Sequence, residues 1–135
     1  MRFLLTFERP IKKLRKEMPH FQTEASIESN LMPAELVSAL LKSATLVGAQ
    51  VRQYSDSELE FFQGDEDALR FRGGILSPLH YFPVVASVSI SPTPRGSQVQ
   101  IRVSDSWSGG VLFGMKKKYL QAVEEFKFLI IDMCA

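Results

Sequence analysis

A chain of 135 residues with 45% hydrophobic residues, 23% charged residues and a formal net charge of +1 has the size and balance of one globular domain. Those values exclude a disordered, collagenous or membrane-spanning chain, and they supply no bulk attraction to nucleic acid. The single cysteine, Cys134, excludes an internal disulfide and a multi-cysteine metal site, and it points to a reducing, cytoplasmic compartment.

Charge is nevertheless uneven along the chain. Arg2, Arg9, Lys12, Lys13, Arg15 and Lys16 face only Glu8 and Glu17 in the first 18 residues, whereas residues 55–68 carry Asp56, Glu58, Glu60, Asp65, Glu66 and Asp67. Such a basic end and acidic end can orient a protein on an anionic surface or align it with another subunit. The N-terminal apolar run, FLLTF, stops at Glu8 and Arg9, short of a signal peptide's apolar region. Residues 1–20 therefore read as an N-terminal strand (RFLLTFE) and a basic connector, and residues 21–135 as a single α+β domain. Within the connector, IKKLRKEM places Ile11, Leu14 and Met18 on one side of two helical turns, too little apolar area to hold a membrane alone.

Residues 21–28 alternate strictly, Phe21, Thr23, Ala25 and Ile27 against Gln22, Glu24, Ser26 and Glu28, and predict a half-buried strand. Asn30 or Met32 then precedes Pro33, whose fixed φ suits a first helical turn, and Glu35 sits near the positive end of the dipole. Leu36, Val37, Leu40, Leu41 and Ala44 follow at helical spacing, and Gly48 supplies the stop. From residue 49 the period falls to two: AQVRQY, ELEFF and ALRFR predict short antiparallel strands joined by turns at SDS and QGDED. In residues 70–83 (RFRGGILSPLHYFP), Gly73 and Gly74 suit a strand bending at a corner, while Pro78 and Pro83 belong to an edge or a connection. VVASVSIS and QVQIRVS flank PTPRG and predict a hairpin. Over residues 111–134, Leu112, Met115, Tyr119, Leu120, Val123, Phe126, Ile130 and Met133 form one stripe of a long amphipathic helix, which the open face of the sheet is expected to bury.

The expected fold is thus α+β: an antiparallel sheet of about five to six strands, one short helix after the first strand, and a long C-terminal helix packed on the sheet. In element order, residues 21–133 resemble the helix-grip arrangement of START and Bet v 1-type domains. That resemblance implies a fold and assigns no functional residue.

No catalytic, metal or cofactor motif is present: the sequence lacks H-E-x-x-H, G-x-S-x-G, the phosphate-loop and dinucleotide glycine patterns, and any Cys/His cluster. His80 and Tyr81 can act as a polar pair at a pocket mouth, but no second histidine, carboxylate or nucleophile lies beside them in sequence. Candidate ligand contacts are His80, Tyr81, Phe82, Trp107, Met115, Tyr119 and Phe126, because aromatic and methionine side chains line adaptable apolar sites. Candidate interaction residues are Phe128 and Ile131, within the run FLII that cannot all face one core, and Lys116, Lys117 and Lys118, which otherwise form a solvated face. In DSWSGG, Ser108 reads as a helix cap and Trp107 as a packing anchor. The first functional expectation is a non-enzymatic interaction or assembly module, self-associating as a homo-oligomer or binding another protein through the C-terminal helix. The alternative is a module binding a small apolar ligand between the sheet and that helix. Peripheral membrane contact through the basic segments ranks third.

Overall fold

The computed structural model describes residues 21–106 and 115–134, without the side chains of 74–76 and 115. Five strands, β1 (Gln22–Ser29), β2 (Gln50–Ser55), β3 (Glu58–Gln63), β4 (Val84–Thr93) and β5 (Gly96–Asp105), form one antiparallel sheet in the order β1-β5-β4-β3-β2. Helix α1 (Pro33–Val47) follows β1, α2 (Glu66–Leu76) and a 3-10 turn (Leu79–Tyr81) separate β3 from β4, and α3 (Met115–Cys134) closes the described chain.

The period-2 pattern dictates which face of the sheet is dry. Val51, Phe61, Ala86, Val103 and Thr23 stand side by side across all five strands, and Leu59, Val88, Ile101 and Ala25 form the next row. Phe61, Ala86, Val88, Ile101 and Val103 are buried there, whereas the opposite face carries Glu24, Ser26, Ser87, Ser89, Gln100 and Arg102. Helix α3 lies on β5, β1 and β4 and touches α1, α2 and the 3-10 turn. It buries Tyr119, Ala122, Val123, Phe126, Ile130 and Cys134. Leu120, expected on that stripe, is instead 43% exposed, because Ala122 rather than Leu120 completes the inward arc. Lys127 pins α3 to β1, with its Nζ 3.0 Å from the Glu124 carboxylate and donating to Thr23 Oγ1 at 3.1 Å.

Local signals account for α1. Pro33 occupies its first turn, the Met32 N–H donates to the Glu35 carboxylate at 3.0 Å, and Gly48 ends it at φ 77°. The β4–β5 hairpin forms as predicted, with Thr93 opposite Gly96.

One expected strand is a helix. Residues 68–72, read as alternating, lie inside α2, where Leu69 is buried and Phe71 is 92% exposed. Two positions apart share a face in a strand but point about 200° apart in a helix. The start signal is Asp65, whose side chain accepts from the Ala68 N–H at 3.0 Å, with Glu66 and Asp67 favourably placed in the first turn. The bend at Gly73 is real, but it kinks a helix (φ 83°, ψ 165°) instead of turning a strand. Beyond the kink, Ser77 Oγ donates to the Gly73 carbonyl at 2.7 Å, and Lys118 Nζ donates to the Ser77 carbonyl at 2.7 Å. Lys118 thus serves carbonyls at the end of α2, where a cation suits the dipole, while Lys116 and Lys117 are exposed. The N-terminal strand and connector, and DSWSGG beyond Ser106, lie outside the described residues.

Two protonated groups are held in the core. Burial pushes the Cys134 thiol up to about 11 from an ordinary value of 9.0, and burial followed by the nearby Asp105 charge raises the Tyr119 phenol. Both folded-state pKa values lie above the unfolded ones, so the unfolded chain loses its protons first as pH rises. Their contribution to stability is therefore expected to be level from neutral pH to about pH 9 and to fall towards pH 11, read as the urea midpoint at pH 7, 9 and 10.5. At pH 7 N-ethylmaleimide is expected to label Cys134 only in urea; equal labelling rates in native and unfolded protein would contradict its burial.

Candidate ligand-binding site

The registers bring the start of β1, the end of β5, the start of β4, the end of β3 and the start of β2 to one end of the sheet: Gln22 pairs with Ser104, Val84 with Asp105, Gln63 with Val84, and Gln50 with Phe62. Backbone hydrogen bonds tie the connections there. The Asp105 N–H donates to the Phe21 carbonyl at 3.0 Å while the Phe21 N–H donates to Asp105 Oδ1 at 2.9 Å. The Asp65 N–H donates to the Tyr81 carbonyl at 2.9 Å, and the Ser106 N–H to the Pro83 carbonyl at 3.0 Å.

These connections border an open cleft of about 650 Å³. Val47 and Gly48 at the end of α1 form one side, and Asp65 and Glu66 at the start of α2 another. Gln50, Phe62, Gln63, Gly64, Pro83, Val84 and Ser106 come from strand ends, and His80 and Tyr81 from the 3-10 turn. The His80 and Tyr81 rings meet edge to face at 4.8 Å, and the Arg72 guanidinium lies 5.5 Å from the Tyr81 ring centre. The site therefore combines an aromatic wall with hydrogen-bonding groups of both kinds: amides at Gln50 and Gln63, carboxylates at Asp65 and Glu66, and the Ser106 hydroxyl.

The expected ligand residues fall into three groups. His80 and Tyr81 line the cavity. Phe82 and Tyr119 lie behind its wall, fully buried, with rings 5.0 Å apart at 88°. Tyr119 also stacks on Phe21 at 5.1 Å and donates its hydroxyl to the Pro83 carbonyl at 2.6 Å, so it supports the wall from the core. Phe126 is buried under α3, Trp107 lies outside the described residues, and the Met115 side chain does too. Phe61, Phe82, Tyr119 and Phe126 are all buried beneath α3, and the 650 Å³ cleft sits at the sheet's end with no lining residue on α3.

Gln50, Gln63, Asp65, Glu66 and Ser106 were not singled out from the sequence. The Asp65-Glu66-Asp67 run was a readable helix start that would have moved two carboxylates to the site; the glutamines and Ser106 meet there only through strand register. Of the four apolar residues expected to leave one side of α3 uncovered, Ile130 is buried, Leu129 and Ile131 pack partly against the core, and Phe128 is 56% exposed, with the Lys127 ammonium 5.1 Å from its ring centre. Among the described residues no group of three His, Cys, Asp or Glu side chains is gathered to hold a metal ion, and no helix is long and apolar enough to cross a membrane.

The class defined by this geometry is an α+β fold of helix-grip order. Among solved structures, the chain is similar to protein MLL2253 from Mesorhizobium loti, with a TM-score of 0.52 and 11% identity over 84% of this chain and 93% of that one. It is also similar to the di-domain ARO/CYC StfQ from the steffimycin biosynthetic pathway (TM-score 0.49, 9% identity, 92% of this chain and 51% of that one) and to Ara h 8.0201 (TM-score 0.43, 12% identity, 84% and 93%). The chain spans about half the length of StfQ. At 11% identity the likeness to MLL2253 is one of fold. No protein-family model and no curated protein sequence matches the chain.

Proposed function

We propose that the protein is a non-enzymatic module that binds a small, partly apolar molecule at the end of the sheet beside the 3-10 turn. The observation that carries this reading is the open cleft of about 650 Å³, in which the polar side chains of Gln50, Gln63, Asp65, Glu66, His80 and Ser106 stand among Val47, Phe62, Tyr81, Pro83 and Val84. Its volume lies within the ~300–1,000 Å³ of small-molecule sites, and its polar lining suits a ligand with a hydrogen-bonding part. Native mass spectrometry of the gently purified protein is expected to reveal a noncovalent adduct, and small amphiphiles are expected to shift the amides of Gln63, His80 and Tyr81 saturably. No adduct and no saturable shift would remove the proposal.

This reading is preferred to self-association through α3. The run from Phe128 to Ile131 offers one exposed ring, already under the Lys127 ammonium, in place of a continuous apolar face. Phe128→Glu is accordingly expected to leave the mass in light scattering unchanged; a dimer that this substitution dissociates would restore the assembly reading. Exposed Lys116 and Lys117 contribute about 1 kcal/mol each against an anionic bilayer; liposome flotation of the chain with and without residues 1–18 tests the basic N-terminal segment, and no binding in either case removes the membrane reading.

A further inference from the structure

We infer that the site is bipartite and takes a neutral amphiphile: its hydrogen-bonding head in the large cavity, and an apolar arm of about seven heavy atoms in a second cleft against the C-terminal half of α3. This deepens the ligand-binding reading above and rests on it. The second cleft has a volume of about 210 Å³, with Leu79, Ala122, Phe126 and Leu129 as its apolar walls. Its remaining lining is Gln63, His80 and Glu125. Gln63 and His80 also line the large cavity, so the two volumes adjoin across these side chains.

The chemistry of the compartments differs. The second cleft sets four apolar walls beside the Glu125 carboxylate and the shared Gln63 and His80, whereas Gln50, Asp65, Tyr81 and Ser106 add donors and acceptors around the head. Leu79 and Leu129 are only partly buried against the core, so an arm lying on them removes apolar surface that the fold leaves wet. At ~30 Å³ for each water-sized group, 210 Å³ accommodates about seven. Glu66 is paired with Arg70 at 2.8 Å, and Asp65 Oδ1 caps the Ala68 N–H; the remaining acceptor capacity of Asp65, with Gln50, Gln63 and Ser106, suits the hydroxyl or amide groups of a neutral head. His80 and Gln63 then determine where head ends and arm begins.

The test is a series of n-alkyl glucosides, from ethyl to dodecyl, titrated below their micellar concentrations into the full chain. The dissociation constant is expected to fall about two- to fourfold per methylene, up to about seven carbons, and then to level off. Octyl glucoside is expected to shift the amides of Leu79, His80, Ala122 and Leu129, and ethyl glucoside those of Gln50, Gln63, Tyr81 and Ser106. Ala122→Leu, which fills the cleft, is expected to abolish the chain-length dependence. Leu129→Ala, which widens it and does not add bulk to the core, is expected to move the plateau to longer chains; circular dichroism and melting establish that each variant is folded. Saturable binding with no dependence on chain length overturns the bipartite site and leaves the ligand-binding reading standing. No binding by any glucoside, together with no native adduct, overturns both. Nuclear Overhauser contacts between residues 3–7 (FLLTF) and Leu79 or Leu129 in the free protein also overturn it, because the cleft's occupant is then the chain's own N-terminal segment.

Discussion

Tyr119→Ala is expected to lower the stability of the domain by about 4 kcal/mol, measured as the urea midpoint at constant slope, which is a large share of the ~5–15 kcal/mol typical of a whole domain. The residue is fully buried, stacks on Phe21, meets Phe82 edge to face and donates its hydroxyl to the Pro83 carbonyl. Removing the ring leaves a void between Phe21, just ahead of β1, and Phe82, just ahead of β4, two segments that cannot close it without shifting their strands. Tyr119→Phe separates the two contributions. It keeps the ring, and the Pro83 carbonyl still accepts from the Ser106 N–H, so the expected cost is only ~1 kcal/mol. Equal losses in the two variants would show that the hydroxyl, and not the packing, holds this corner.

Gly64→Ala is the second large effect, expected to cost about 3 kcal/mol and to abolish binding of small amphiphiles. Gly64 sits at φ +126°, a region that costs a side-chain-bearing residue on the order of 1–3 kcal/mol. An added Cβ would also fall 2.7 Å from both the Phe82 carbonyl oxygen and the Pro83 nitrogen, and against Pro83 Cα. Those are backbone atoms with nowhere to go, because the Pro83 carbonyl is fixed by Tyr119 and Ser106. The strain therefore displaces one wall of the cavity. Gly73→Ala, outside the cleft lining, is the control: φ is also positive at 83°, but nothing lies within 4 Å of the added carbon, so the expected loss is ~1 kcal/mol with binding retained. Equal loss of binding in both variants would show that the wall at Gly64 is not specific to the site.

Much of the fold was legible because several residues repeated one message. The β4–β5 hairpin has two long alternating runs around a proline-glycine turn; α1 has Pro33, Glu35 and Gly48 at the correct ends. The misreading of α2 came from five residues. ALRFR alternates in polarity, but over so short a run period 2 and period 3.6 place only Phe71 and Arg72 on different faces. The carboxylates ahead of it broke the tie and were read as a turn. The site was legible only where it is continuous in sequence, at His80 and Tyr81. Gln50, Gln63 and Ser106 are ordinary polar residues at strand ends, and what makes them a site is which strand lies beside which, a property that one sequence does not encode locally.

The strand order also governs when the molecule can assemble. Phe21 and Asp105 are hydrogen-bonded partners 84 residues apart, so β1, synthesised early, waits on the ribosome for β5, and the apolar sides of both wait longer still for α3. Closing so long a loop carries an entropic cost that precedes the β1–β5 contacts, which slows folding relative to a chain of local pairings. Until α3 docks, Val99, Ile101 and Val103 form an uncovered apolar ribbon, so a chain lacking α3 is expected to aggregate.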